Sequence, residues 1–99
     1  LTQKIMVDMS HGNSQKQFKK QLIVNKDISD QIASGDESIF GVMIESNLEE
    51  GNQKIDSLKN LKYGQSVTDA CVGWKDTEVM LKLLAKAVDA RREKLKRSA

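Results

Sequence analysis

Ile39-Phe40-Gly41-Val42-Met43-Ile44-Glu45 is a continuous apolar run that ends on a carboxylate. A run of this length, apolar on both faces, suits a strand covered on both sides, as in a parallel sheet. Ile5-Met6-Val7-Asp8-Met9-Ser10-His11 follows the same plan and ends on an imidazole. Ser66-Val67-Thr68-Asp69-Ala70 is a weaker third strand: its β-branched residues favour one and its polarity opposes one.

Helical patterns lie between and after these runs. Asn25 or Asp27 can cap a first helix, Ile28 and Ile32 share a face four residues apart, and Gly35 can end it in the left-handed conformation. Val79, Met80, Leu83, Leu84, Ala87 and Val88 recur at helical spacing and predict a final helix, with Asp76 and Thr77 as candidate caps. Arg91, Arg92, Lys94, Lys96 and Arg97 gather at its C-terminal end, where they complement the helix dipole and read as a solvated helix end. Residues 47–64, with Gly51-Asn52 and Gly64, read as a long loop.

The order strand, helix, strand, long connection, strand, helix implies an α/β fold with right-handed parallel crossovers. Three parallel strands and two helices leave two raw sheet edges and an incompletely covered core. A closed eightfold barrel takes ~250 residues. The 99 residues therefore read as one partial domain, 1–99, of something larger. The chain opens at Leu1, almost directly on a strand and without an initiator methionine, which favours truncation of a longer protein.

Composition narrows the function classes. With 38% hydrophobic and 30% charged residues the chain reads as globular and soluble. Sixteen Lys and Arg against fourteen Asp and Glu leave +2, too slight a balance to argue for nucleic acid, and 4% aromatic residues give little for stacking bases. The longest apolar run is only a few residues, so no membrane span is expected. No signal sequence opens the chain. A single cysteine and no glycosylation sequon make a reducing cytoplasm the expected location.

Each of the three runs carries a potential metal ligand at its end: His11, Glu45 and Asp69. In parallel α/β proteins, ligands and catalytic groups collect at the carboxyl ends of strands. The gaps of ~34 and ~24 residues are close to the ~30 of one strand-helix-strand repeat, so the three would meet on one rim. One imidazole and two carboxylates suit a divalent first-row metal, although satisfied structural polar groups would share that spacing.

The words around these residues are more specific. Ser10-His11-Gly12-Asn13-Ser14 followed by Gln15-Lys16-Gln17-Phe18-Lys19-Lys20-Gln21 closely resembles a segment of 3-deoxy-D-arabino-heptulosonate 7-phosphate (DAHP) synthase, of the shorter bacterial and fungal class. Gly41-Val42-Met43-Ile44-Glu45-Ser46-Asn47-Leu48 with Glu50-Gly51-Asn52-Gln53 continues the likeness. So does Tyr63-Gly64-Gln65-Ser66-Val67-Thr68-Asp69-Ala70-Cys71 with Gly73-Trp74. The resemblance runs through essentially the whole chain. It implies the C-terminal part of a (β/α)8 barrel, about its sixth to eighth strands.

It also implies roles. His11, Glu45 and Asp69 match three of four protein ligands to a divalent metal such as Mn, Fe, Co or Zn. The fourth is a cysteine on an early strand that this chain lacks. Cys71 matches a non-ligand cysteine and reads as a small core residue. The implied reaction condenses phosphoenolpyruvate with erythrose 4-phosphate, opening the shikimate route to aromatic amino acids. Carbon 3 of phosphoenolpyruvate attacks the aldehyde, water adds at carbon 2, and phosphate leaves. His11 would hold the metal on the phosphoenolpyruvate side, and Asp69 would be both ligand and neighbour of the aldose. Lys16, Lys19 and Lys20 would give the mouth positive charge for two phosphorylated substrates, or form an ordinary solvated loop. Asn13, Asn52 and Tyr63 lie in the matching motifs without an assignable role, and Trp74 reads as a packing residue at the start of the last helix. Implied partners are the rest of the barrel or another copy, in a homo-oligomer. The alternative is a non-catalytic metal-binding or association fragment, inactive without the remaining strands.

Overall fold

A computed structural model describes residues 3–11, 17–56 and 58–98. Asn13 and Lys16 lie outside the described residues. Strand β1 (Ile5–Asp8) and strand β2 (Ile39–Met43) pair in parallel, joined through helix α1 (Lys20–Ala33). A 3-10 turn at Leu58–Asn60 interrupts the long connection to helix α2 (Trp74–Ser98). The result is a small α/β unit of two parallel strands and two helices.

Both strands stop earlier than their apolar runs. Asp8 ends β1 because its Oδ1 accepts the backbone N–H groups of Ser10 (2.8 Å) and His11 (3.1 Å), which turns the chain. Ile5 faces Ile39 but Met6 faces Gly41, so Phe40 is an extra residue in β2 and forms a bulge. The bulge keeps both Ile39 and Val42 on the helix-covered side although they are three residues apart, while Met6 and Phe40 stand exposed on the other.

The third strand does not form as expected at 66–70. Thr68 N–H donates to Ser66 Oγ (3.1 Å), so local side-chain bonding displaces a ladder there. The chain instead makes isolated bridges, Asn52 with Ser66 and Ser46 with Val72 in parallel and Gly51 with Cys71 antiparallel, of which Ser46 with Val72 extends the pairing past β2. Val72 N–H donates to Glu45 O, and Asn47 N–H to Val72 O, each at 3.0 Å.

Helix α1 starts at Lys20, well before Asn25 or Asp27. Its N-cap position is Lys19, without a side-chain cap; carbonyls of Gln17, Phe18 and Lys19 accept the first N–H groups in 3-10 fashion. Asn25 is a buried interior residue whose Nδ2 donates to Met80 O on α2 (3.3 Å). The C-terminus follows expectation. Gly35 has φ +112°, its N–H reaches Ile32 O, and Asp36 N–H reaches Gln31 O, which is the Schellman arrangement.

Helix α2 starts at Trp74 rather than at Asp76 or Thr77, and Thr77 Oγ1 donates back to Gly73 O (2.8 Å) from inside the first turn. Trp74 is half exposed, so it does not serve as a packing residue here. Val79 also faces solvent, while Met80, Leu84 and Ala87 are buried against Met9, Ile28, Ile32, Ile39 and Val72. The basic end is not wholly solvated. Arg91 Nη1 donates to Asp36 O and Ile39 O (2.8 Å each), and Lys94 Nζ to Ser34 O (2.8 Å), which clamps the α1–β2 connection to α2.

The connection between β2 and α2 is held by a few backbone bonds, such as the reciprocal pair between Gly51 and Cys71, and by side-chain amides. Gln53 Nε2 donates to Lys62 O and Gln65 O, Gln65 Nε2 to Glu50 O, and Asn52 Nδ2 to Thr68 O. Gly64 has φ +80°, and a Cβ there would lie 2.9 Å from Leu48 Cβ, so only glycine fits.

Candidate metal centre

The turn after β1, the end of β2 and the bridge-forming segment at 69–72 bring His11, Glu45 and Asp69 together. His11 Nε2 lies 2.7 Å from Glu45 Oε1 and 3.0 Å from Asp69 Oδ2. One ligand atom from each lies within 4.8 Å of the others. Atoms bonded at ~2.0–2.2 Å to one ion would stand ~3 Å apart, so the imidazole already sits at coordination spacing from both carboxylates. A cavity of about 190 Å³ opens between Ser10, His11, Glu45, Asn52, Thr68 and Asp69.

Each group is held differently. Glu45 is the most enclosed of the three side chains, at 19% exposure against 41% for His11 and 59% for Asp69. Buried Ser10 donates its hydroxyl to Glu45 Oε1 at 2.6 Å. Gln21, fully buried on the first turn of α1, takes both backbone groups of Glu45: its Nε2 donates to Glu45 O and its Oε1 accepts Glu45 N–H, each at 3.0 Å. Asp69 follows Thr68, whose carbonyl accepts from Asn52 Nδ2 at 2.9 Å. That bond gives Asn52 a place in the site.

His11 Nδ1 donates to Asp8 Oδ2 at 2.8 Å. This bond, then that to Asp69, holds the imidazole pKa above its ordinary value. The same bond lowers Asp8 against a partly offsetting desolvation. Three carboxylates thus surround one imidazole, and among the described residues no Lys or Arg lines the cavity. The excess negative charge and the mixed N/O donors fit a divalent cation. Burial pushes the Cys71 thiol up; its Sγ lies 3.5 Å from Asp69 O and outside the converging set, in keeping with a core residue.

Lys19 lies 3.9 Å from Glu50, and neither Lys19 nor Lys20 lines the cavity. Tyr63 is almost fully exposed. Asp8, Ser10 and Gln21 were not among the residues that motif spacing selected. Asp8 and Ser10 carry the one available signal, polar side chains interrupting an apolar run just before His11.

A parallel α/β unit with such a cluster beyond its strand ends suits part of an α/β enzyme. The chain belongs to the DAHP synthetase I family, which it matches over residues 1–82. It is 55% identical over 92 residues to the Phe-sensitive phospho-2-dehydro-3-deoxyheptonate aldolase of Escherichia coli K12, covering 93% of this chain and 26% of that protein. It is likewise 55% identical over 97 residues to the phenylalanine-inhibited aldolase of Saccharomyces cerevisiae, covering 95% of this chain and 26% of that protein. The structure of the aldolase from Francisella tularensis superposes with a TM-score of 0.84 at 57% identity, over 89% of this chain and 25% of that one. The chain thus spans about a quarter of the length of these relatives.

Proposed function

We propose that this chain is the C-terminal segment of a DAHP synthase, contributing about the sixth to eighth strands of a (β/α)8 barrel. In the whole enzyme it would take part in condensing phosphoenolpyruvate with erythrose 4-phosphate, at the head of aromatic amino-acid synthesis. The observation that carries this reading is the convergence of His11, Glu45 and Asp69, in a member of this family, on one cavity. These three residues would hold a divalent ion (Mn, Fe, Co or Zn), with a fourth ligand from outside the chain. When bound, the ion would supply Lewis-acid polarisation of the aldehyde oxygen.

The chain's own residues have separable tasks. His11 presents Nε2 toward the two carboxylates. Ser10 and Gln21 keep Glu45 in place through its side chain and backbone. Asp69, the most exposed of the three, borders the space through which the aldose would arrive. Lys16, Lys19 and Lys20 would act at longer range, as positive charge that draws in phosphorylated substrates. The remaining strands, from the rest of the barrel or another copy, would complete the site in a cytoplasmic homo-oligomer. The 99 residues alone would bind without turning over, because positioning both substrates supplies a large share of catalysis.

A chimera tests the reading. This chain replaces the matching quarter of the Escherichia coli relative, and DAHP formation is assayed with Mn²⁺ and both substrates. Activity is expected, with a loss of at least ~100-fold on His11→Ala or Asp69→Ala. A folded, Mn²⁺-binding chimera with no turnover would sink the proposal.

A further inference from the structure

We infer that Asp8 is a positioning residue that selects the His11 tautomer and aims Nε2 at the cation site. The inference rests on the metal reading above and adds a residue to it. Asp8 is the last residue of β1, paired with Met43 of β2, so its backbone is fixed by the sheet. Its two oxygens do different work. Oδ1 accepts the N–H groups of Ser10 and His11 and pins the carboxylate in the turn. Oδ2, on the other side of the carboxylate, meets His11 Nδ1 at 2.8 Å. A carboxylate only accepts, so Nδ1 carries a proton in this bond. In the ion-free site Nε2 carries the ring's second proton, and a cation that displaces it meets the lone pair on Nε2 while Asp8 keeps the other proton on Nδ1. Nε2 is the nitrogen that faces Glu45 and Asp69.

Asp8 does not join the converging set, because its oxygens are turned toward the backbone and the far side of the ring. Without it, a half-exposed imidazole could rotate or place its proton on Nε2, and either change removes the ligand. Carboxylate-imidazole-metal relays of this type act on affinity by ~10–100-fold.

Asp8→Asn separates orientation from folding. Two backbone donors hold the side-chain oxygen on the turn side, so the amide nitrogen faces Nδ1. It donates there and forces the proton onto Nε2, the wrong tautomer, while the turn survives. Zn²⁺ and Mn²⁺ binding to the full chain is measured by calorimetry for wild type, Asp8→Asn and Asp8→Ala, with circular dichroism to follow the fold. The expected result is a ~10–100-fold loss for Asp8→Asn with an unchanged fold. Wild-type binding with an Asp8→Asn affinity within about twofold of it would overturn this inference and leave the metal reading standing. No binding by wild type would overturn the metal reading, and this inference with it. Should Asp8→Asn fail to fold, the ¹⁵N–¹H spectrum of the Zn²⁺-loaded wild-type imidazole decides. A single ring proton on Nδ1 supports the assignment, and a ring proton on Nε2 refutes it.

Discussion

At the scale of single residues, the sequence displayed the converging side chains better than it displayed their supports. The convergence of His11, Glu45 and Asp69 was legible because each lies at or near the end of an apolar or β-branched run and the runs are spaced near one strand-helix-strand repeat. Asp8 and Gln21 were not, since each acts on a neighbour through a bond that only the folded chain makes. Buried polar residues on α1 carry a second lesson. Gln21, Asn25 and Ser29 lie four apart on the face that packs into the interior, so the polar letters concealed that face. Ser29 Oγ is buried and has no hydrogen-bond partner among the described residues. Ser29→Ala should therefore raise stability by about 1 kcal/mol, since it removes an unsatisfied hydroxyl and adds helix propensity. Urea unfolding reads the change, and a fall in midpoint would mean that the hydroxyl is in fact satisfied.

Asp36 gives a pH prediction at the same scale. Hydrogen bonds from the Ser38 hydroxyl, then from its backbone N–H, hold the Asp36 carboxyl below its usual range. A depressed carboxylate stabilises the fold above the unfolded value of ~3.9, and that contribution is lost as pH falls through the lower folded value. Ser38→Ala removes the hydroxyl donor and should raise the Asp36 pKa toward the ordinary value. A ¹³C carboxyl titration by NMR would show this; an unmoved midpoint would assign the shift to the backbone bond and the Arg91 charge instead.

At the scale of elements, β1, β2 and the body of α2 were readable because apolar runs and helical spacing report burial directly. The start of α1 was misplaced because good capping letters, Asn25 and Asp27, sit inside a helix whose true start has no side-chain cap. The third strand was misplaced because strand letters compete with local Ser and Thr bonding. What joins α1 to the site is Gln21, which replaces a strand partner for the Glu45 backbone. Gln21→Ala leaves the part-buried N–H of Glu45 without its partner, while the carbonyl keeps Val72 N–H, and should cost about 1–3 kcal/mol. It should also weaken divalent-cation binding, as Glu45 loses its anchor. Denaturation and calorimetry on the same variant would check both, and an unchanged cation affinity would confine Gln21 to a structural role.

At the scale of the whole molecule, the chain is extended. Its radius of gyration is 16.2 Å, where a compact domain of ~100 residues has ~13 Å. Helix α2 alone, at 25 residues, runs ~37 Å of a 59 Å long axis. The two strands form a sheet with the helices on one side, and Ile5, Met6 and Phe40 stand 47–65% exposed. In a closed barrel that surface would be internal, and the outer edge of β1 would be paired. Among the described residues no further strand lies on the outer side of β1, beside an apolar face, which is the arrangement that templates association. Marginal domain stability of ~5–15 kcal/mol leaves little to offset both losses. The 99-residue chain should therefore self-associate as concentration rises, with amides of β1 exchanging faster than those in the α1–α2 contact. Sedimentation velocity over a concentration series, with hydrogen exchange on the same sample, reads both. A concentration-independent monomer with fully protected β1 amides would show that the sheet needs no further strand, and the barrel assignment would lose its physical support.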